Sequence, residues 1–202
     1  MNKIRMIALA ACMAATLDAA AQEQEIRLFS HRGGRMEHDE NTLSAFQASY
    51  DAGYRGFETD IRMTRDGALV ITHDSSLERT TDGTGTVEEK TEAEIRQLAT
   101  KQGNKMMFLD ELLEFLKGKE GLYVEFEMKT KPEALYPEER LHAYCDKLYD
   151  AVMAVKPADA TFVFTSGDYR GLRYLQAKHP GVDLLLITSK PCNDETIDLC
   201  KA

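Results

Sequence analysis

Short apolar runs alternate with helix-patterned stretches along most of this chain, and few folds are open to a chain that alternates in this way. Residues 26–29, 56–62, 68–72, 122–128, 161–165 and 183–188 read as strands. Residues 42–52, 90–99, 109–116, 138–155 and 168–178 read as helices, and a last helix begins at Asp194. In the first helix Leu43, Phe46 and Tyr50 share one side, Asn41 or Thr42 can cap the start, and Gly53 stops it. Such alternation implies an α/β architecture, a parallel sheet with helices outside. A count of about six strands suits an open sheet or an incomplete eightfold barrel. One junction does not fit. Between Asp60 and His73 there is no room for a crossover helix, and Thr64-Arg65-Asp66-Gly67 reads as a tight hairpin turn. Either this pair is antiparallel or its connection is extended and helix-less; the residues favour the hairpin.

A length of 202 residues fits one domain with a substantial core. The formal charge of −9 argues against a broad nucleic-acid or anionic-membrane surface, because both need clustered Lys and Arg. An anionic substrate would have to be captured by a metal or by a few well-placed cationic side chains. At the start, Lys3 and Arg5 precede an apolar run over 6–17 and then Ala19-Ala20-Ala21. These are the parts of a secretory signal peptide over residues 1–21, too short to span a bilayer, which predicts a periplasmic or secreted protein. A second reading is a lipoprotein signal acylated at Cys12. Cys145, Cys192 and Cys200 would remain after cleavage, an odd number that sequence does not pair.

The sharpest chemical signal is the placement of charge within strands. Residues two apart share a face, so Glu58, Asp60 and Arg62 oppose Phe57, Thr59 and Ile61. Glu125, Glu127 and Lys129 alternate in the same way with Val124, Phe126 and Met128. A solvated strand face or an internal Glu–Lys pair would explain either strand alone. Both together point to carboxylates turned into a barrel interior, which is costly unless they are paired or hold a cation. Oxygen donors such as Glu58, Asp60 and Glu127 suit Mg²⁺ or Ca²⁺ better than zinc. His31 and His73 fall where strands end, the position at which parallel α/β folds place their chemistry, and imidazole can act as acid or base. His38, His142 and His179 lack that placement, and the last two are expected on helix surfaces.

Taken in order, the motifs are His31-Arg32-Gly33, Glu40-Asn41-Thr42, Glu58-Thr59-Asp60, Thr64-Arg65-Asp66-Gly67, His73-Asp74, Arg79-Thr80-Thr81, Gly83-Thr84-Gly85 and Glu127-Met128-Lys129. This ordered set resembles the glycerophosphodiester phosphodiesterase family. The resemblance implies a TIM-type (β/α)8 barrel, here with about six of its eight strands, and resolves the odd junction as a helix-less parallel connection. It implies hydrolysis of glycerophosphodiesters, small-molecule substrates, to glycerol 3-phosphate and an alcohol. Catalytic histidines would be His31 and His73, and metal carboxylates Glu58, Asp60 and Glu127 around Ca²⁺ or Mg²⁺. Arg32 and Lys129 would lie near the phosphate, and Glu40 would support the first-strand loop. The domain would cover 22–202, with an insertion around 77–108 shaping the alcohol pocket. Asp39 stands where the family often has proline. Family members also continue through two more strands, so this chain is expected to be C-terminally truncated and to fold poorly or be inactive. Two alternatives are a phospholipase C- or D-like lipid phosphodiesterase and an inactive phosphate- or metal-binding remnant.

Overall fold

The computed structural model describes residues 28–201, with side chains through 198. The proposed leader and Cys12 lie outside them. The sheet contains six strands, β1 (Phe29–His31), β2 (Gly56–Met63), β3 (Leu69–Ile71), β4 (Tyr123–Met128), β5 (Thr161–Ser166) and β6 (Leu184–Leu186). Helices α1 (Leu43–Asp51), α2 (Glu92–Ile95), α3 (Leu109–Leu116), α4 (Glu138–Val155), α5 (Tyr169–Lys178) and α6 (Asp194–Lys201) connect or follow them. The path β1-β2-β4-β5-β6 is parallel throughout and does not close among the described residues. It forms part of a barrel wall, with the helices on its outer side. No helix among the described residues is long and apolar enough to cross a membrane.

The period-two pattern of β2 and β4 explains their place at the centre. Phe57, Ile61, Val124, Phe126 and Met128 are buried in the core under the helices. There Phe57 packs on Phe46 of α1 and Phe115 of α3, with ring centroids 5.8 and 6.2 Å apart. Burying one such ring contributes roughly 1.5–3 kcal/mol. The alternate residues Glu58, Asp60 and Glu127 turn to the inner face. Thr42 caps α1 by accepting from the Ala45 N–H, which leaves Asn41 for another task. His142 and His179, expected on the surface, stack on Tyr174 and Tyr149 with ring centroids 3.9 and 3.5 Å apart, joining the long helix α4 to the segment around α5.

The connection after β2 corrects the expectation drawn from the resemblance. β3 runs antiparallel to β2, pairing Ile61 with Ile71, Arg62 with Val70 and Met63 with Leu69. The turn closes through Thr64 N–H to Ala68 O at 2.9 Å and Thr64 Oγ1 to Asp66 at 2.6 Å, with Gly67 at φ +90°. The Asp-Gly turn and a link too short for a crossover decide the outcome. Among the strands β3 pairs with the last residues of β2, where the β4 ladder is ending, so it folds back over the strand end. That return lets Thr72 N–H reach Asp60 O at 3.0 Å and delivers His73 to the strand ends.

Residues 77–108 form a small layer with isolated bridges, a 3₁₀ turn at Val87–Glu89 and the single turn α2. The helix expected over 90–99 is cut to one capped turn because Ala99 and Thr100 bridge instead to Lys105 and Thr81. Leu77, Val87, Ile95, Met106 and Phe108 give this layer its own minor core with Val70.

Gly56 sits where β1 crosses closest: a Cβ there would lie 2.5 Å from the Leu28 carbonyl oxygen. Gly56→Ala should force these backbones apart and lower stability by about 2 kcal/mol or more, read as a lower urea midpoint at unchanged m.

Candidate active site

At the C-terminal end of the central strands, sheet register sets residues side by side. His31 on β1 is level with Glu58 on β2, and Asp60 on β2 is level with Glu127 on β4. One oxygen from each of Glu58, Asp60 and Glu127 can be chosen so that all lie within 4.8 Å of one another. Asp60 is fully buried and Glu58 is 8% exposed. Burial, and next the charges of Asp60 and Glu127, push the Glu58 carboxyl up to about 8, against a hydrogen bond from the Arg32 N–H. Glu58 Oε1 and Asp60 Oδ1 are buried oxygens without a hydrogen-bond donor. Two unsatisfied oxygens inside a three-carboxylate cluster fit a hard divalent cation, which takes oxygen ligands and rewards convergent negative charge.

The loop after β1 surrounds this cluster. Arg32 takes φ +54°, and its N–H reaches Glu58 O at 3.1 Å. Its buried guanidinium lies 3.3 Å from Asp60 and 3.1 Å from Glu40. Gly33, at φ +75°, allows this bend against α1, where a Cβ would meet the Ala45 Cβ at 3.0 Å. Lys129 Nζ lies 2.8 Å from Glu127 and 3.5 Å from Asp60.

The two histidines are in different settings. His31 Nε2 is 3.5 Å from Glu58, and burial, then the Arg32 charge, lowers its pKa. His73 Nδ1 is 2.6 Å from Asp74 Oδ1. Burial raises the Asp74 pKa, but hydrogen bonds from Arg79 and His73 outweigh it and bring the carboxyl to about 2. Asp74 is therefore a carboxylate near neutral pH and fixes the ring through Nδ1, leaving Nε2 for the site. Arg79 also donates twice to Glu40, at 2.7 and 3.0 Å. A continuous chain Arg32–Glu40–Arg79–Asp74–His73 thus ties the β1 loop to the β3 loop.

The structure brings every residue singled out from the sequence to this end of the sheet: His31, Arg32, Glu40, Glu58, Asp60, His73, Glu127 and Lys129. Three others were given no part in the site by the sequence. Asn41, at φ +58°, donates to Asp60 Oδ2 at 2.9 Å, while Asp74 and Arg79 hold His73. All three lie inside the motifs quoted above; their neighbours in sequence were the signal, and their partners were not.

The profile of the Glycerophosphoryl diester phosphodiesterase family matches residues 31–199. A Glycerophosphodiester phosphodiesterase of Caldanaerobacter subterraneus subsp. tengcongensis is 36% identical over 123 residues, covering 56% of this chain and 50% of that protein. Human Glycerophosphodiester phosphodiesterase 1 is 40% identical over 82 residues, 41% of this chain and 25% of that protein. The chain therefore spans about half the length of the first curated relative and a quarter of the second. Among solved structures, an Oleispira antarctica phosphodiesterase in complex with the product sn-glycerol-3-phosphate superposes with a TM-score of 0.76 at 25% identity, covering 88% of this chain and 72% of that one. A Silicibacter pomeroyi protein described as a glycerophosphoryl diester phosphodiesterase shares the fold, with a TM-score of 0.75, 24% identity and coverage of 87% and 69%. With its profile match, its partial barrel wall and its ordered motifs, this chain belongs to the glycerophosphoryl diester phosphodiesterase family.

Proposed function

We propose that this chain carries the catalytic centre of a divalent-cation-dependent hydrolase that converts glycerophosphodiesters to glycerol 3-phosphate and an alcohol. The observation that carries the reading is the Glu58–Asp60–Glu127 cluster with two buried oxygens that no hydrogen bond satisfies, flanked by His31 and His73. The product bound to the Oleispira antarctica relative supports glycerol 3-phosphate as the product here. Glu58, Asp60 and Glu127 would hold the cation, Ca²⁺ or Mg²⁺ by the chemistry of the donors. When bound, it supplies Lewis-acid stabilisation of charge on the phosphoryl oxygens.

His31, its pKa lowered by burial and then by the Arg32 charge, takes the proton from the glycerol hydroxyl that attacks phosphorus, and water then opens the resulting cyclic phosphate with the two proton transfers reversed. His73, held through Nδ1 by Asp74, gives a proton from Nε2 to the departing alcohol. Lys129 and Arg32, already within 3.5 Å of the carboxylates, supply positive charge beside the phosphate. Glu40 neutralises Arg32 and Arg79 and holds the two loops in register.

Release of glycerol 3-phosphate from glycerophosphocholine and glycerophosphoethanolamine should stop on chelation and return with Ca²⁺ or Mg²⁺. His31→Ala should lower kcat by about 10²- to 10⁴-fold on every substrate. His73→Ala should lose as much on these alcohols but far less on a p-nitrophenyl ester, whose leaving group needs no proton. Cleavage of intact phospholipids alone would favour the lipid phosphodiesterase alternative, and cation binding without turnover the inactive remnant.

A proton held by Glu58 up to about pH 8 must leave before the carboxylate can bind a cation. Cation affinity should therefore climb by about tenfold per pH unit below that value and level off above it, as measured by calorimetric titration. The folded carboxyl holds its proton more tightly than its ordinary value of 4.5 allows, so the cation-free protein should lose stability as pH rises from 4.5 to about 8. Saturating cation, which holds Glu58 as the carboxylate, should flatten that slope, a contrast read from unfolding midpoints across the range.

A further inference from the structure

Arg62 is the third inward-facing residue of β2, after Glu58 and Asp60, and none of the roles above uses it. Its guanidinium is buried, and its Nε donates to the main-chain oxygen of His73 at 2.9 Å. Nη1 donates to the main-chain oxygen of Lys129 at 3.3 Å and to Glu88 Oε1 at 2.8 Å. Glu88 comes from the 3₁₀ turn of the 77–108 layer and is itself buried. It accepts two further hydrogen bonds, from Tyr136 Oη at 3.1 Å and from Ser75 Oγ at 2.7 Å. Tyr136 Oη in turn accepts from the Met63 N–H at 3.0 Å. A buried charge pair satisfied on so many sides is a rigid joint, because loss of any partner leaves a costly unpaired group. The joint meets five separate segments, namely the end of β2, the loop carrying His73 and Ser75, the 3₁₀ turn, the end of β4 at Lys129, and the approach to α4. Arg62 lines the same cleft of about 460 Å³ as His73, Glu127 and Lys129.

We propose that the Arg62–Glu88 pair is the positioning device of this site. It holds the backbones of His73 and Lys129 at fixed distances from the carboxylate cluster, so that the 77–108 layer governs alignment of the proton donor. The inference rests on the hydrolase reading above. Arg62 touches neither the carboxylates nor any reacting atom by a hydrogen bond in this structure; it acts through the two carbonyls it holds. Lysine at position 62 would keep the charge opposite Glu88, but its single ammonium cannot reproduce the fork that spans Glu88 and both carbonyls.

The test is Arg62→Lys, with Glu88→Gln as the second variant, each compared with the unaltered chain. Arg62→Lys is expected to lower kcat by roughly ten- to hundredfold while KM stays within about threefold, the signature of misplaced rather than lost groups. Its Ca²⁺ affinity should stay near that of the unaltered chain, while its urea midpoint should fall, because a buried carbonyl that lysine does not reach is left unpaired. Nitrogen-15 NMR of the imidazole rings supplies a readout independent of turnover: the His73 signals should shift or broaden in both variants while those of His31 hold. Glu88→Gln should lower kcat in the same direction by a smaller factor. Unchanged His73 signals with unchanged kcat would overturn the proposal, as would a rise in KM alone, which would make Arg62 a substrate-binding residue. If the unaltered chain cleaves no glycerophosphodiester, the hydrolase reading fails, and the His73 signals still decide whether the pair positions that ring.

Discussion

Three carboxyl groups brought within 4.8 Å on the inner face of two neighbouring strands are the constraint around which this fold is arranged. Like charges so close and so deeply buried repel, and one of them, Glu58, keeps its proton up to about pH 8. Everything next to the cluster offsets that charge. Arg32 and Lys129 both lie beside Asp60, the Arg32 N–H and Asn41 amide donate to Glu58 and Asp60, and Glu58 Oε1 and Asp60 Oδ1 still lack a hydrogen bond, the latter with the Lys129 ammonium 3.5 Å away. A hydrophobic set of the same shape would pack more cheaply, so the arrangement makes physical sense as a cation site and poor sense as a structural core.

The apparatus around the cluster depends on two departures from a regular barrel unit. In the first, Arg32 and Asn41 adopt left-handed backbone geometry, which folds the β1 loop inward over the strand ends. In the second, the β2–β3 hairpin turns the chain back within a dozen residues and sets His73 above Asp60. A crossover helix would have carried the chain to the outer layer and brought it back at the bottom of the sheet. The hairpin keeps it at the C-terminal ends of the strands, and the 77–108 layer then grows from that point. Chemistry and topology are linked at this junction: the strand that breaks the parallel pattern is the one that brings the second histidine.

Much of this was legible in the residues. The period-two charges of 58–62 and 125–129 identify an inner face because no other arrangement of those strands hides Phe57, Ile61, Val124 and Phe126. The boundaries of α4 follow from its long apolar stripe, with Pro137 just ahead of it. The hairpin could be read from Asp66-Gly67, and local turn chemistry was a better guide there than the regular barrel that the resemblance implied. Two kinds of feature were hidden. The helix expected at 90–99 is overridden by bridges whose partners lie elsewhere in the chain. Asn41, Arg62, Asp74 and Glu88 draw their importance from partners between 1 and 67 positions away, such as His73, Asp60 and Lys129, and pairwise contacts of that kind leave no periodic trace.

The most direct test of the account is an anomalous difference map from a crystal of this chain soaked in calcium. A peak is expected between Glu58, Asp60 and Glu127, with carboxylate oxygens at about 2.3–2.6 Å. No peak there, with Lys129 still bonded to Glu127, would contradict it and leave the carboxylates as an internal ion-pair network.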